Sequence, residues 1–88
     1  MYYTYVLNCR KQKSEKLYVG YCRDLKQRLS RHLKKEIQTT KKFDKIKLVY
    51  YEACLDKTDA IKRENQLKTG FGRGYLKRRL KSCFDKRD

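Results

Sequence analysis

A carboxylate stands on the packing face of a predicted helix in the second half of the chain. The pattern of residues 59–68 predicts an amphipathic helix, and at ~100° per residue Glu64 lies between Leu67 and Ile61 on its apolar face. An unpaired carboxylate there costs free energy, so it requires a cation, a metal ion or a solvated cleft. Glu64 is therefore a candidate functional residue, and a structural ion pair with a lysine or arginine is the alternative.

A histidine and an arginine share the apolar side of an earlier helix. Leu25, Leu29 and Leu33 repeat at the i, i+4, i+8 spacing of an amphipathic helix. The single histidine, His32, falls inside this apolar arc, and Arg28 flanks it. Two interpretations stay open: the pair faces a site, or His32 is a satisfied half-buried residue beside an arginine that extends to solvent.

Tyrosine is frequent in the first quarter of the chain. Among the eight tyrosines, four fall on two segments that are predicted to pair as a hairpin: Tyr3, Tyr5, Tyr18 and Tyr21. Such large amphipathic side chains mostly serve packing. Positive charge around a phenol favours the phenolate, so one or two of these tyrosines also qualify as groups of a cationic site.

The charge balance indicates a polyanion as partner. In 88 residues, 25 lysines and arginines oppose 10 acidic residues, which gives a formal net charge of +15. Basic side chains that neutralise phosphates release condensed counterions, so DNA is the expected partner and an anionic membrane is the rival. The expected nucleic-acid contacts are basic residues of the first helix, the loop after it, the glycine segment 70–74 and the last helix: Lys34, Lys35, Lys41, Lys42, Arg73, Lys77 and Arg78.

Length and composition restrict the class of protein further. The 88 residues predict a single domain, 1–88, with a small core. No stretch approaches the roughly 20 apolar residues of a membrane span, and the first residues lack the pattern of a signal peptide. We therefore expect a soluble cytoplasmic protein without a membrane partner. The four cysteines lack metal-ligand spacing, which favours free thiols over disulfides or zinc.

Hydrophobic periodicity predicts an α+β fold with the order ββαβαα. The predicted elements are, in chain order, strands 3–9 and 17–21, helix 25–36, strand 46–55, helix 59–68 and a helix that starts at residue 75. The strand 46–55 is nearly continuous in β-formers, which indicates a strand that is either central in the sheet or covered on both faces. The glycines of segment 70–74 are predicted to end the second helix as a cap or tight turn. The helices are expected to pack on the sheet.

Short motifs follow one another in a recognisable order. TyrThrTyr at 3–5 is followed by TyrValGly at 18–20, an arginine ten residues after Tyr18, a histidine fourteen after it and a glutamate in a later helix. With these motifs the chain resembles the GIY-YIG nuclease superfamily, and more closely its small stand-alone UPF0213 branch. The resemblance covers nearly the whole chain. It implies a small three-stranded antiparallel sheet flanked by helices, with a nuclease site on one face.

The resemblance also implies roles for five residues, which are Tyr5, Tyr18, Arg28, His32 and Glu64. Glu64 is then the ligand of a single Mg²⁺ or Mn²⁺, and Arg28 is the group that binds the non-bridging phosphate oxygens. A phenol with the ordinary pKa of about 10 is ionised in about one molecule in a thousand at pH 7, so a tyrosine base needs cationic neighbours. His32 is the alternative proton carrier, and the choice of general base stays open.

Two functions from different classes follow. The first is a metal-dependent endonuclease that hydrolyses phosphodiester bonds in DNA, with DNA repair or recombination as its setting. The alternative is a catalytically weak or inactive basic nucleic-acid-binding module on the same fold. All five signature positions are filled, which favours the enzyme.

Overall fold

The structure is a computed structural model that describes residues 1–86. Its elements are, in chain order, β1 (Tyr2–Lys11), β2 (Ser14–Cys22), α1 (Leu25–Leu33), β3 (Lys45–Cys54), α2 (Lys57–Leu67), α3 (Gly70–Arg79) and α4 (Lys81–Asp85). The strands form an antiparallel sheet in the order β2-β1-β3. The predicted α+β class and the three-stranded antiparallel sheet are therefore confirmed.

The hairpin of β1 and β2 follows from alternating side chains and a tight reversal. Tyr5 and Leu7 point to one face of the sheet, whereas Val6 points to the other. At the tip of the hairpin Gln12 has a φ of 54°, and this left-handed residue allows the chain to reverse. The reversal fixes the register of every facing pair between the two strands.

β3 is an edge strand covered on both faces, so of the two predicted alternatives for 46–55 coverage of both faces is confirmed and a central position is not. β1 occupies the centre because it pairs with both of the other strands. The β-formers of β3 reflect coverage of both its faces: Ile46 and Leu48 pack into one core, and Val49 and Tyr50 into the other. A strand covered on both faces has the same composition whether it has one pairing partner or two.

Helices cover both faces of the sheet and enclose two cores. The α1 face is the side on which Leu25 and Leu29 of α1 pack; its buried residues are Tyr5, Leu7, Cys9, Cys22 and Phe43. The α2 face is the opposite side, against which α2 and α3 pack; its buried apolar residues are Val6, Val19, Leu67, Leu76 and Leu80. α1 and α2 therefore pack on opposite faces of the sheet.

The ends of the helices follow local chemistry. Asp24 and Asp56 cap α1 and α2, and each carboxylate accepts a hydrogen bond from a backbone N–H of the first turn, at 2.9 and 2.7 Å. α1 ends at Leu33, shorter than the predicted 25–36, and Lys35 two residues later has a φ of 62°. Leu33 is consequently exposed, unlike the other two leucines of the predicted apolar face.

The glycines of 70–74 begin a helix, whereas the sequence predicted that they end one. α3 starts at Gly70, with the hydroxyl of Thr69 accepting a hydrogen bond from the Gly72 backbone at 3.2 Å. A Cβ on Gly72 would collide with the backbone of Gln66 and Leu67. The absence of a side chain thus permits α3 to pack directly on the end of α2, which outweighs the low helix propensity of glycine. The last predicted helix is also divided at Leu80 into α3 and α4.

Within residues 1–86, no helix combines the length and the apolar character needed to cross a bilayer. The four cysteines are present as free thiols, with Cys9 and Cys22 buried in the core of the α1 face. Burial raises the pKa of both buried thiols, which keeps them protonated.

Candidate active site

Tyr5 lies at the centre of the α1 face, and the glycine of the TyrValGly motif makes room for it. Tyr5 is directly opposite Gly20 in the β1–β2 pairing and is only 1 % exposed. A Cβ at Gly20 would lie 2.7 Å from the Tyr5 hydroxyl and 2.8 Å from its ring. The ring can therefore lie flat across β2 only because position 20 has no side chain.

His32 is completely buried against Tyr5 on the same face. Its Nε2 lies 2.9 Å from the Tyr5 hydroxyl, and its Nδ1 lies 2.6 Å from Oγ1 of Thr40, which is also fully buried. The ring contacts the rings of Tyr5 and Tyr18 edge-on, with centroids 5.7 and 5.3 Å apart. His32 is thus a satisfied core residue, one of the two interpretations that the sequence left open, and it does not reach solvent.

Burial keeps this group of side chains uncharged. Burial lowers the pKa of His32 from its ordinary value of 6.5 to about 4, and the nearby Arg28 and Arg31 contribute to this lowering. Burial also raises the pKa of Tyr5 well above its usual range, with Tyr18 adding to the effect and Arg28 opposing it. At neutral pH the structure therefore contains a neutral imidazole and a protonated Tyr5 phenol.

The direction of the hydrogen bonds follows from these protonation states. Arg28 lies close enough to Tyr5 to lower the pKa of the phenol, and its guanidinium can only donate to the Tyr5 oxygen. Tyr5 must then donate its single proton to Nε2 of His32, which leaves the imidazole proton on Nδ1 for donation to Thr40. This arrangement of Tyr5, His32 and Thr40, which we call the neutral chain, fixes the tautomer of His32 and places the Tyr5 oxygen beside the Arg28 guanidinium.

Thr40 is a site residue that the sequence did not indicate. It lies between α1 and β3 in a polar stretch that has no periodicity, next to another threonine, Thr39. Only Thr40 of the two is buried, because it faces His32, whereas Thr39 is exposed. A threonine eight residues after the histidine is the only signal in the sequence, and it does not separate Thr40 from its neighbour.

Tyr18 reaches the surface where Tyr5 does not. It is half-buried and packs against the Tyr5 ring at a centroid distance of 6.3 Å. It also lines a cleft of about 550 Å³ whose basic members are Lys16, Lys68, Arg73 and Lys77. The structure therefore groups Tyr5, Tyr18, Arg28 and His32 on the α1 face, with only Tyr18 and Arg28 partly accessible.

Glu64 does not join this group directly. It is carried by α2 on the opposite face, its side chain is 15 % exposed, and its Oε2 lies 3.1 Å from Nζ of Lys68. Lys68 lines the same cleft as Tyr18, so it connects the carboxylate to the accessible edge of the site. The cation that a carboxylate on a packing face requires is therefore present, and it is one helical turn away.

The donor set near Glu64 suits a hydrated cation. Within residues 1–86 no cluster of three or more His, Cys, Asp or Glu side chains could hold a metal ion. A single carboxylate is not a zinc site, but Mg²⁺ keeps several waters and needs only one or two carboxylates. The residues present thus fit a single Mg²⁺ or Mn²⁺ and no more crowded centre.

The seven expected nucleic-acid contacts come from several parts of the fold. Arg73 and Lys77 line the cleft of Tyr18, and Arg78 folds back so that its guanidinium lies over Gly74. Lys34 provides the C-cap of α1, and Lys35 turns inward and donates to the carbonyl of Phe43. Lys35 thus serves the loop rather than an open surface.

The remaining two expected contacts lie on the loop before β3. Lys41 and Lys42 are exposed, with the Lys42 ammonium 5.5 Å from the Phe43 ring centroid. Both follow directly on Thr40, so they stand beside the buried end of the neutral chain. Their role in nucleic-acid contact stays a prediction.

Comparisons with known proteins agree with the motif order. Residues 1–78 match the family model described as the GIY-YIG catalytic domain. A UPF0213 protein of Staphylococcus saprophyticus is 35 % identical over 69 residues, which is 77 % of this chain and 80 % of that protein. A UPF0213 protein of Staphylococcus epidermidis is 33 % identical over the same shares. No solved structure was found to match. The chain therefore belongs to the GIY-YIG family of nucleases, and it is related to the UPF0213 proteins.

Proposed function

We propose that this protein is a divalent-metal-dependent endonuclease that hydrolyses phosphodiester bonds in DNA. The observation that carries the proposal is the neutral chain, which lies beside a half-buried arginine on the face that bears the tyrosines of the two motifs. A small core gains more stability from apolar side chains than from a buried polar chain, so stability alone does not call for it. A guanidinium that must bind a phosphate in one fixed orientation does require buried polar groups beside it.

Each residue of the α1 face then has a distinct task. Arg28 donates to the non-bridging oxygens of the scissile phosphate, where its planar fork stabilises the charge that develops. Tyr5 and His32 are positioning residues, because both are buried and act only through Arg28. Tyr18 is the accessible phenol, and with Lys68 in the same cleft we assign it to the attacking water.

Glu64 is the residue that would hold Mg²⁺ or Mn²⁺. A metal bound there supplies Lewis-acid stabilisation of the phosphoryl and leaving oxygens. For a metal to bind, the Lys68 ammonium must move away from the Glu64 carboxylate, because it now contacts one of the carboxylate oxygens. Its i, i+4 ion pair is half-exposed on the lysine side and is worth only ~0.5 kcal/mol, so it offers little resistance.

A plasmid-nicking assay tests the proposal. Wild-type protein is incubated with supercoiled plasmid in Mg²⁺, Mn²⁺ or EDTA, beside Glu64→Gln and a control, Asp85→Asn, which removes the acid of an exposed ion pair with Lys81. We expect metal-dependent nicking that Glu64→Gln lowers about 100-fold or more and Asp85→Asn leaves unchanged. Electron paramagnetic resonance of Mn²⁺ provides a second measurement, in which Glu64→Gln reduces the bound fraction.

The binding-module alternative keeps one specific observation in its favour. The carboxylate of Glu64 is engaged by Lys68 and lies on a different face from Arg28. If wild-type protein binds DNA with a salt-dependent affinity but shows no nicking in either metal, the endonuclease proposal is wrong and the binding module stands.

A further inference from the structure

A groove between α1 and β3 lies on the same face as Arg28 and holds none of the seven basic residues selected from the sequence. Its volume is about 930 Å³ and it is open to solvent. The residues that matter here are three arginines and two tyrosines: Arg23, Arg28, Arg31, Tyr3 and Tyr51. This arginine groove therefore continues the proposed active site along the sheet.

The charge of the arginine groove suits a phosphate backbone. Asp24 is the one acidic side chain in its lining, and that carboxylate caps α1, where it accepts a hydrogen bond at 2.9 Å. Arg31 has an acidic neighbour, Glu36, but this ion pair is 3.7 Å long and half-exposed, so it is screened and easily exchanged. Arg23 and Arg31 are thus available to phosphates on both sides of Arg28.

The aromatic wall of the groove suits a nucleobase. Tyr51 lies on the edge strand β3 and is 53 % exposed, and the ring of Tyr3 supports it edge-on at 6.0 Å. Leaving half of a large ring in water forgoes apolar burial that the fold could otherwise gain. An exposed aromatic ring beside cations is the combination that proteins use to stack bases while they hold the backbone.

We infer that the arginine groove binds a DNA strand, with phosphates on Arg23, Arg28 and Arg31 and one nucleobase stacked on Tyr51. This inference rests on the proposed function, from which it takes DNA as the ligand. It adds the path of the DNA strand along the protein and a residue, Tyr51, that contacts a base. A base inside a duplex is stacked on both sides. The groove therefore accepts a base where stacking is interrupted, such as a gap, a bulge or a free end.

An abasic oligonucleotide separates base contacts from phosphate contacts. Fluorescence anisotropy in EDTA, which prevents cutting, compares a labelled oligothymidine with an abasic strand of the same length and charge. We expect wild-type protein and Tyr51→Phe to bind oligothymidine about tenfold more tightly than the abasic strand, and Tyr51→Ala to bind both equally. The matched control is Phe71→Ala, which removes another exposed aromatic ring, from α3, and keeps the preference.

The arginines are tested through the salt dependence of binding. For Arg23→Gln with Arg31→Gln, we expect the slope of log affinity against log salt for the abasic strand to become shallower by roughly 1.4, about 0.7 per lost phosphate contact. The charge-matched control, Lys11→Gln with Lys13→Gln at the exposed hairpin tip, leaves the slope unchanged. Thermal melting verifies that every variant is folded.

Each outcome decides the inference separately from the proposed function. A base preference that survives Tyr51→Ala, or a slope that changes in the hairpin-tip control but not in the groove variant, overturns the arginine groove as the DNA path. If wild-type protein nicks plasmid but binds both strands equally, only the Tyr51 contact is wrong. If it binds neither strand and does not nick, both the inference and the proposed function are wrong.

Discussion

The two faces of the sheet carry polar clusters of opposite character. On the α1 face the neutral chain is buried and holds its groups uncharged. On the α2 face Arg63 forms a two-point ion pair with Glu52, at 3.0 Å through Nε and 2.9 Å through Nη2, in a half-buried position. The core of the α1 face therefore contains no formal charge except that of an arginine near its surface. The α2 face contains a half-buried ion pair.

The ionic cluster on the α2 face joins three elements. Tyr50 of β3 donates to Oε2 of Glu52 at 2.9 Å, and its hydroxyl lies 3.2 Å from that of Tyr75 on α3. The Arg63 guanidinium of α2 stacks 5.0 Å from the Tyr75 ring centroid, and its hydrogen bonds to Glu52 raise the pKa of the arginine. Every group here is satisfied by a group of the protein, so the cluster fastens helices to the sheet.

Arg28 and Arg63 differ in the kind of group that neighbours each guanidinium. Arg28 lies beside a phenol, and no carboxylate of the described residues forms an ion pair with it, so its positive charge stays available for a phosphate. The charge of Arg63 is already neutralised by Glu52. We propose that the type of partner, more than burial, distinguishes an arginine that binds a ligand from one that stabilises the fold.

The largest expected effect comes from the same substitution on each face. Arg28→Gln should lower plasmid nicking by about 10²- to 10³-fold, because it removes a donor to the developing phosphoryl charge, with little change in melting temperature. Arg63→Gln should lower the melting temperature and leave nicking unchanged below it. The contrast between the faces fails if Arg63→Gln abolishes nicking in protein that circular dichroism shows to be folded.

Acid should destabilise the protein through the neutral chain. Between pH 6.5 and about 4 the unfolded chain binds a proton at residue 32 that the folded chain excludes, since burial lowers the pKa of His32. The free energy of unfolding should therefore fall as pH is lowered through this interval, by roughly 3 kcal/mol in all. Urea unfolding measures it. The matched variant His32→Gln should show a flatter pH profile, and an identical profile would remove His32 as the cause.

Breaking the ionic cluster should cost stability alone. Glu52→Gln leaves the Arg63 guanidinium without its counter-charge in a half-buried position, for which we expect a loss of about 2 kcal/mol at neutral pH. Urea unfolding of this variant beside Asp85→Asn, which breaks an exposed pair, separates the two environments. Equal losses in both would show that the α2-face pair is no better than a surface pair.

The smallest effect is expected at the end of the neutral chain. Thr40→Val removes the acceptor for His32 and should cost about 1 kcal/mol, whereas Thr40→Ser should restore most of it. ¹⁵N chemical shifts of the His32 ring report the tautomer, with the proton on Nδ1 in wild type and a mixture in Thr40→Val. A proton found on Nε2 in wild type would reverse the direction in which the hydrogen bonds of the neutral chain run.

The sequence predicts those parts of the molecule that depend on local periodicity. The hairpin, α1 and α2 follow from alternation and helical spacing, and His32 and Glu64 attract notice because they break an apolar pattern. The edge position of β3 depends on which strand pairs with which, and composition does not record that. The start of α3 at Gly70 depends on how closely two helices pack, which becomes visible only when the backbone of α2 is present.

The contact between Tyr5 and Gly20 has a consequence for redesign. The two residues are fifteen positions apart in sequence, yet the ring of one occupies the space where any side chain of the other would stand. Neither position tolerates substitution independently, so a library that varies position 20 with Tyr5 in place is expected to return glycine alone. Exchanging both residues at once, for example Tyr5→Val with Gly20→Ala, offers a packed strand pair that no longer supports Arg28. The last tyrosine of the first motif and the glycine of the second thus form one packing unit.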